Sequence, residues 1–278
     1  MQHQFKRNAC TLMLMLATGC STQQAKPPAN TPQPVPVVAA EPATVQTKLV
    51  IEPEAINALK RMGNYLHTLK TFSVSSQTSV DKELESGQKI MVDGELTVTA
   101  QLPNRLHIDR KVFDDDIDQQ FFYDGKTFTI YGNKNKFYAS IPAPSTIREL
   151  LAVAWERYDI KMPLSDLFIW GGDNHDDEAN ILAASYIGTS LVNGVSCDHY
   201  AFHNADVDWQ LWIEKSETPL PRKLVITTTE EHKSPQYISI MDWNLSPKTN
   251  NELFTFVPHK DAHKIEFMVV EKSTGNGK

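Results

Sequence analysis

From Thr71 onward the hydrophobic period of this chain is two, and it stays at two through run after run separated by short turns. Phe72 and Val74 alternate with polar residues, as do Leu96 and Val98, then Leu106 and Ile108 after Pro103-Asn104. Phe121-Phe122-Tyr123 leads through Asp124-Gly125 into the alternating run 126–131. An Asp-Gly pair between alternating runs is the strongest short-range hairpin signal. Residues 133–135 make the next turn and 136–139 return. Further runs follow at 184–190, 197–204, 209–215, 222–229 and 237–244, with turn residues Asn193-Gly194, Asp206, Pro219 and Pro221 between them. Turns this short join antiparallel neighbours, because a parallel return needs a crossover of a dozen or more residues. The expectation is one antiparallel sheet of about ten or eleven strands, with no parallel crossover.

Helices interrupt this pattern in few places. Glu52-Pro53-Glu54 puts a proline and two acids where a first helical turn favours them. Ile56, Leu59, Met62, Leu66 and Leu69 then follow at helical spacing and form one apolar stripe. In mid-chain, Ser145 is placed to cap a run in which Ile147, Leu150, Leu151, Ala154, Trp155 and Tyr158 share a face. Pro163 opens a shorter helix through Leu167, Phe168 and Trp170, closed by Gly171-Gly172. The fold class expected is therefore α+β, with three helices gathered on one side of the sheet.

The N-terminus supplies an address. Lys6 and Arg7 precede a short apolar run that ends Leu16-Ala17-Thr18-Gly19-Cys20. That run is too short to span a bilayer and reads as an export signal. It resembles the bacterial lipoprotein signal, in which Cys20 becomes the lipidated first residue. Ala17 departs from the usual leucine three residues before the cysteine. Pro27, Pro28, Pro32, Pro34, Pro36 and Pro42 follow with no aromatic residue among them, so this segment reads as an extended, solvated linker. The organisation expected is a signal at 1–19, a lipidated Cys20 with its tether at 20–48, a folded domain at 49–260 and a tail at 261–278. Ser21 after the cysteine resembles the outer-membrane sorting pattern of lipoproteins, which implies an outer-membrane anchor facing the periplasm.

Loss of Lys6 and Arg7 leaves 25 basic against 34 acidic residues, a formal charge of −9. Such a chain has no electrostatic basis for binding nucleic acid or anionic lipid surfaces. Of three cysteines, Cys10 and Cys20 lie in the signal. Cys197 alone remains in the body, so with Cys20 lipidated no internal disulfide forms and a hydrophobic core must hold the fold.

Four stretches carry a family resemblance: residues 94–108, Tyr123-Asp124-Gly125-Lys126 with Tyr131 and Tyr138, residues 194–202, and Asp208-Trp209-Gln210-Leu211-Trp212-Ile213 followed by residues 219–224. Together they resemble a bacterial family of predicted periplasmic proteins, domain of unknown function 2092. That family is similar to the Lol-type lipoprotein carriers (LolA and LolB) and to the lipid-sensing periplasmic regulator RseB. The resemblance implies a single curved antiparallel half-barrel whose concave side is covered by helices, with an apolar cavity between sheet and helices that accepts acyl chains. The carriers' cavity arginine is matched to no position here.

Cys197, His199 and His203 fall on one face of a strand, yet no third catalytic group is defined by spacing, and Cys197 and His203 lie about 20 Å apart along an extended strand. The acidic run Asp173–Glu178 offers oxygen ligands for calcium without the spacing of a calcium loop. Asp114-Asp115-Asp116 reads as a hydrophilic turn. No phosphate loop, dinucleotide fingerprint, zinc-protease helix or nucleophile elbow is present. The expectation is a binding protein and not an enzyme, without catalytic residues, metal or cofactor. Its partners are the membrane through the N-terminal lipid and a lipid, acyl chain or other apolar ligand. On the helical side Leu150, Leu151, Trp155, Leu167 and Phe168 are the candidate ligand contacts. The alternative is a protein-interaction component of an envelope assembly that takes no ligand.

Overall fold

The alternating runs do assemble into one sheet. The structure, a computed structural model, describes residues 49–171, 179–229 and 234–269, so the signal, Cys20, the tether and the acidic run 173–178 lie outside the described residues. Helix α1 (Pro53–Thr68) precedes six strands: β1 (Thr71–Glu83), β2 (Lys89–Gln101), β3 (Arg105–Val112), β4 (Ile117–Tyr123), β5 (Thr127–Gly132) and β6 (Phe137–Pro142). Helix α2 (Ile147–Tyr158) and a 3-10 turn, η1 (Ser165–Phe168), separate these from β7 (Ala183–Val192), β8 (Val195–His203), β9 (Val207–Glu214), β10 (Pro221–Thr228) and β11 (Gln236–Asn244). A second 3-10 turn, η2 (Asn251–Phe254), and a two-residue strand β12 (His263–Lys264) complete the described chain.

The topology is two antiparallel meanders joined at their ends. Strand order is β12-β6-β5-β4-β3-β2-β1-β11-β10-β9-β8-β7, and the join is the antiparallel pairing of β1 with β11, from Ser73↔Asn244 to Val80↔Tyr237. The sheet is open, with β7 and β12 at its two edges. The Asp124-Gly125 hairpin forms as its residues dictate. Asp124 Oδ1 accepts from the backbone N–H groups of Lys126 and Thr127 at 2.9 and 2.8 Å, and Gly125 takes a left-handed φ of 89°.

Three expectations need correction. The described strands number twelve, not ten or eleven, because His263 and Lys264 add β12. That strand pairs parallel to β6, as does a bridge from Ile51 to Ala184, so the sheet is not wholly antiparallel. Helix α2 is capped by Thr146 and not Ser145. The Thr146 Oγ1 accepts from the Glu149 N–H at 3.2 Å and donates to the Glu149 carboxylate at 2.9 Å, the geometry that a Thr three residues before a Glu allows.

Alternation divides the sheet into two faces. The helix-covered face carries the main core: Phe72, Val74, Leu96, Val98, Leu106, Ile108, Phe121, Tyr123, Phe128, Tyr200, Phe202, Leu211, Leu224 and Met241, against Ala58, Leu59, Met62 and Leu66 of α1 and Ile147, Leu150 and Ala154 of α2. Each fully buried Leu, Phe or Met contributes about 1.5–3 kcal/mol of transfer free energy, which is how a body without a disulfide holds together. The opposite, outer face has a smaller cluster of Val192, Cys197, Trp212 and Val225.

The segment after β11, expected to end in a tail at residue 261, instead clasps the β6 edge. Phe254 is buried, and Phe256 meets Phe122, Tyr131 and Tyr138 at ring-centroid distances of 5.3, 5.2 and 5.0 Å. His263 N–H donates to the Lys136 carbonyl and Ile265 N–H to the Tyr138 carbonyl, both at 2.8 Å. Phe267 then stands over Phe128 and Tyr158, 6.3 and 5.5 Å away. Phe122 and Phe128 belong to opposite faces, so the strap grips the edge from both sides.

Candidate functional site

The protein's own side chains pack the middle of the core between sheet and helices. Open volume lies at its margins: about 330 Å³ between α1 and β8–β9 at Ala58, Tyr200 and Ile213, about 290 Å³ between η1 and β9–β10 at Trp170, Trp209 and Leu224, and the largest apolar share beside α2. Leu150 is 0% exposed and points into the core. Its neighbour Leu151, buried at the core's margin, and Trp155, one turn on, line a groove of about 530 Å³ formed with Ala152, Ile160, Met162 and Ile169. Arg148, Glu156 and Lys161 stand at the rim. Trp155 is 43% exposed there, unlike Trp170 and Trp212, which are buried.

Local chemistry explains the groove. Asp159 ends α2 in the left-handed conformation (φ 53°), and its N–H and that of Ile160 return to carbonyls of the last turn. Leu164 takes the same conformation before η1. These two reversals bring residues 160–169 back alongside the helix. Arg148 Nη2 fastens them there, donating to the Ile169 carbonyl at 2.9 Å and the Gly171 carbonyl at 3.3 Å. The Lys161 ammonium sits 5.1 Å from the centre of the Trp155 ring, a cation–π contact that places positive charge at the groove mouth.

Leu167 and Phe168 face a second cleft, of about 350 Å³, where the end of α1, the start of α2 and the β2–β3 turn meet. Leu66, Leu69, Leu102 and Ile147 share its walls, with His67, Lys70 and Arg148 around it. Of the five sequence candidates, then, two line the groove, two line the cleft and Leu150 lines neither. Arg148 borders both openings. Ala152, Ile160, Met162, Ile169 and Arg148 escaped the sequence reading; the Tyr158-Asp159 helix end, followed by apolar residues flanking Pro163, was the signal that could have found them.

A polar trough of about 570 Å³ crosses the outer face at Glu95, Asp109, Lys111, Asp118 and Gln120. It is acidic, with Lys111 against four carboxylates, but three of the four are hydrogen-bonded. Lys111 Nζ donates to Glu95 at 3.0 Å, and Asn133 donates to Asp118 at 2.5 Å. Hydrogen bonds from His107 and Gln120 hold the Asp109 carboxyl below the usual carboxylate range. The Asp114–Asp116 stretch is a turn whose Asp115 and Asp116 pair with Lys82 and Lys134.

The strand bearing Cys197, His199 and His203 does not bring them together as a reactive group. The Cys197 thiol is buried, donates to the Val195 carbonyl and is pushed up to about 11 by burial, the opposite of an activated nucleophile. His199 stacks on Trp212 at 3.9 Å and bonds Gln210 at 3.1 Å, and burial holds its pKa below the usual histidine value. His203 bonds Asp208 at 2.6 Å. Among the described residues no three His, Cys, Asp or Glu side chains converge as a metal site.

The sequence profile of the predicted periplasmic protein family DUF2092 matches residues 55–268. The chain belongs to this family. The match runs through Phe267 of the strap and covers both openings beside α2. The family's description places the protein in the cell envelope. No curated protein matches the chain. Among solved structures, it is similar to the lipoprotein LppX of Mycobacterium tuberculosis, at 11% identity over 72% of this chain and 100% of that one, with a TM-score of 0.44. The MucA/MucB complex of Pseudomonas aeruginosa matches at 14% identity over 73% of this chain and 61% of that chain, TM-score 0.41. The LolA superfamily protein NE2245 of Nitrosomonas europaea matches at 8% identity over 73% and 97%, TM-score 0.34.

Proposed function

We propose that this DUF2092 member is a non-enzymatic envelope binding module that seats an acyl chain or similar apolar ligand in the groove between α2 and residues 160–169. The observation that carries the reading is the groove itself: an open Trp155 beside Leu151, Met162 and Ile169, with Arg148 and Lys161 outnumbering Glu156 at the rim. A volume of about 530 Å³ falls within the roughly 300–1,000 Å³ usual for ligand sites. Apolar walls favour the hydrocarbon, and Arg148 and Lys161 favour an anionic end. Lipidation at Cys20 would tether the module to the outer membrane on the periplasmic side, so it acts as an acceptor or sensor at one membrane and not as a free shuttle.

The test titrates the full chain in mild detergent with a C16 lysophosphatidylglycerol and reads binding by native mass spectrometry. Wild type is expected to retain one lysolipid. Trp155→Ala and Ala152→Glu, both at exposed groove positions, are expected to weaken it at least about tenfold, on the order of 1.4 kcal/mol. Equal retention by both variants, or none by wild type, refutes the assignment. A stoichiometric envelope protein co-purifying with a lipid-free chain would instead favour an interaction component.

A further inference from the structure

The two edges of the sheet are treated differently. At the β6 edge, β12 and the aromatic strap cover the strand. At the β7 edge, among the described residues, only the first half is covered. Glu52 N–H donates to the Ala184 carbonyl at 2.8 Å, and Ala184 N–H donates to the Val50 carbonyl at 3.0 Å. The Glu52 carboxylate takes the Tyr186 N–H at 2.9 Å. Beyond Tyr186 the register shifts at Gly188, and among the described residues no segment pairs with the outer side of 187–192.

This free half lacks the usual protection. Edge strands are commonly blunted by lysine, proline or inward-pointing charge, because their open N–H and C=O groups are a template for another strand. The whole of β7, AASYIGTSLV, contains no charged residue and no proline. Ile187 is 55% exposed and Leu191 72% exposed. The Glu52 carboxylate is engaged by the Tyr186 N–H at the end of the covered half, and Asp198 on β8 is held by Thr189 at 2.8 Å and Lys215 at 3.2 Å, so both neighbouring carboxylates are already partnered.

We propose that residues 187–192 form a strand-addition site, at which a short, extended, uncharged segment of a partner protein pairs as a further strand of the sheet. The first half of the same edge already holds an extended segment of this chain by backbone hydrogen bonds, and the site continues that seam. Its size selects the occupant. Six residues span about 20 Å, whereas a standard stable interface uses about 20–30 residues a side. That is too little for edge-to-edge pairing of two copies alone and is the length over which a peptide adds to a sheet. Backbone bonding supplies affinity, and Ile187 and Leu191 favour apolar side chains on the incoming strand.

The experiment mixes the full chain, in detergent, with the hexapeptide acetyl-Thr-Ile-Ser-Val-Thr-Leu-amide and follows amide hydrogen exchange. Saturable slowing of exchange, about tenfold or more and confined to 187–192 and the adjoining β8 amides, is expected. A peptide with lysines at the apolar positions is expected to give none. Leu191→Lys, at a surface position that leaves the core intact, is expected to abolish the effect while thermal melting is unchanged. Exchange that is unaffected by the peptide, or slowed equally in L191K, overturns the proposal. So does a dimer in sedimentation that already protects 187–192 in the absence of peptide, since the edge then belongs to a second copy.

Discussion

Replacing Gly63 with alanine tests how closely α1 is pressed onto the segment that walls the groove. Gly63 lies in the middle of α1, where Gly→Ala ordinarily stabilises a helix by about 1 kcal/mol. Here an added Cβ would stand 2.6 Å from the Gly171 nitrogen, 2.7 Å from its Cα and 2.8 Å from the Trp170 carbonyl carbon. Every one of these atoms is backbone, and Gly171 is itself held at φ 79°, so no side chain can swing aside. Overpacking of this kind costs about 1–3 kcal/mol, occasionally more. With three backbone atoms this close the clash lies in the upper part of that range and outweighs the propensity gain, so G63A is expected to lose up to about 2 kcal/mol. With a urea m-value of about 2–3 kcal/mol/M the midpoint falls by roughly 0.5 M. Far-UV circular dichroism in urea measures it, with Asn57→Ala, on the exposed side of α1, as the control that gains a few tenths. The same displacement moves the Ile169 and Gly171 carbonyls that Arg148 holds, so lysolipid retention is expected to fall as well. A midpoint that rises in G63A as it does in N57A would refute the close-contact argument.

Two further outcomes follow from packing and burial. Phe256→Ala loses three ring partners and Phe267→Ala two, each worth about 0.5–1.5 kcal/mol, so both should lower the urea midpoint and F256A the more; an F267A protein as stable as wild type would mean that the strap does not dock on α2. Cys197, raised from 9.0 to about 11, should be alkylated at pH 8 at about a thousandth of the rate of a fully ionised thiol and freely once unfolded. Because the folded value is the higher one, the stability tied to its neutral form is intact below about pH 9 and declines as pH climbs to about 11, a trend that Cys197→Ala should remove.

How much was legible in the chain depends on the range of each signal. Period-two alternation and the Asp124-Gly125 turn are local, and they specified the meanders; the Ile56-to-Leu66 stripe specified α1. The twelfth strand was not legible, because two residues carry no period and His263-Lys264 is polar; it forms only because Phe256 and Phe267 anchor the chain to either side. Within α2, Leu150 and Leu151 look alike in a sequence. A step of 100° about the helix axis puts Leu150 wholly inside the core and Leu151 at its margin with one side on the groove, and the dividing line is set by where residues 160–169 return. That return rests on left-handed turns at Asp159 and Leu164, of which only the aspartate advertises itself.

Helix α2 is fixed at both ends and open in the middle, and this explains why it, and not α1, carries the exposed tryptophan. At its start, the Tyr123 hydroxyl from β4 donates to the Pro144 carbonyl at 2.5 Å, just before the Thr146 cap. Burial, with smaller effects from Glu149 and Asp124, pushes this phenol up to about 12, so it stays a donor across the pH range in which the envelope functions. At its end, Tyr158 packs under Phe267 of the strap. Between these pins Ile147, Leu150 and Ala154 fill the core with Leu151 at its margin, which leaves Ala152 and Trp155 on the exposed side of the middle turn without a structural duty toward the sheet. A helix held this way can present an apolar wall without unfolding when the wall is empty. Binding there therefore needs no opening of the main core, and the cost of seating a ligand reduces to ordering Trp155, Lys161 and the ligand itself.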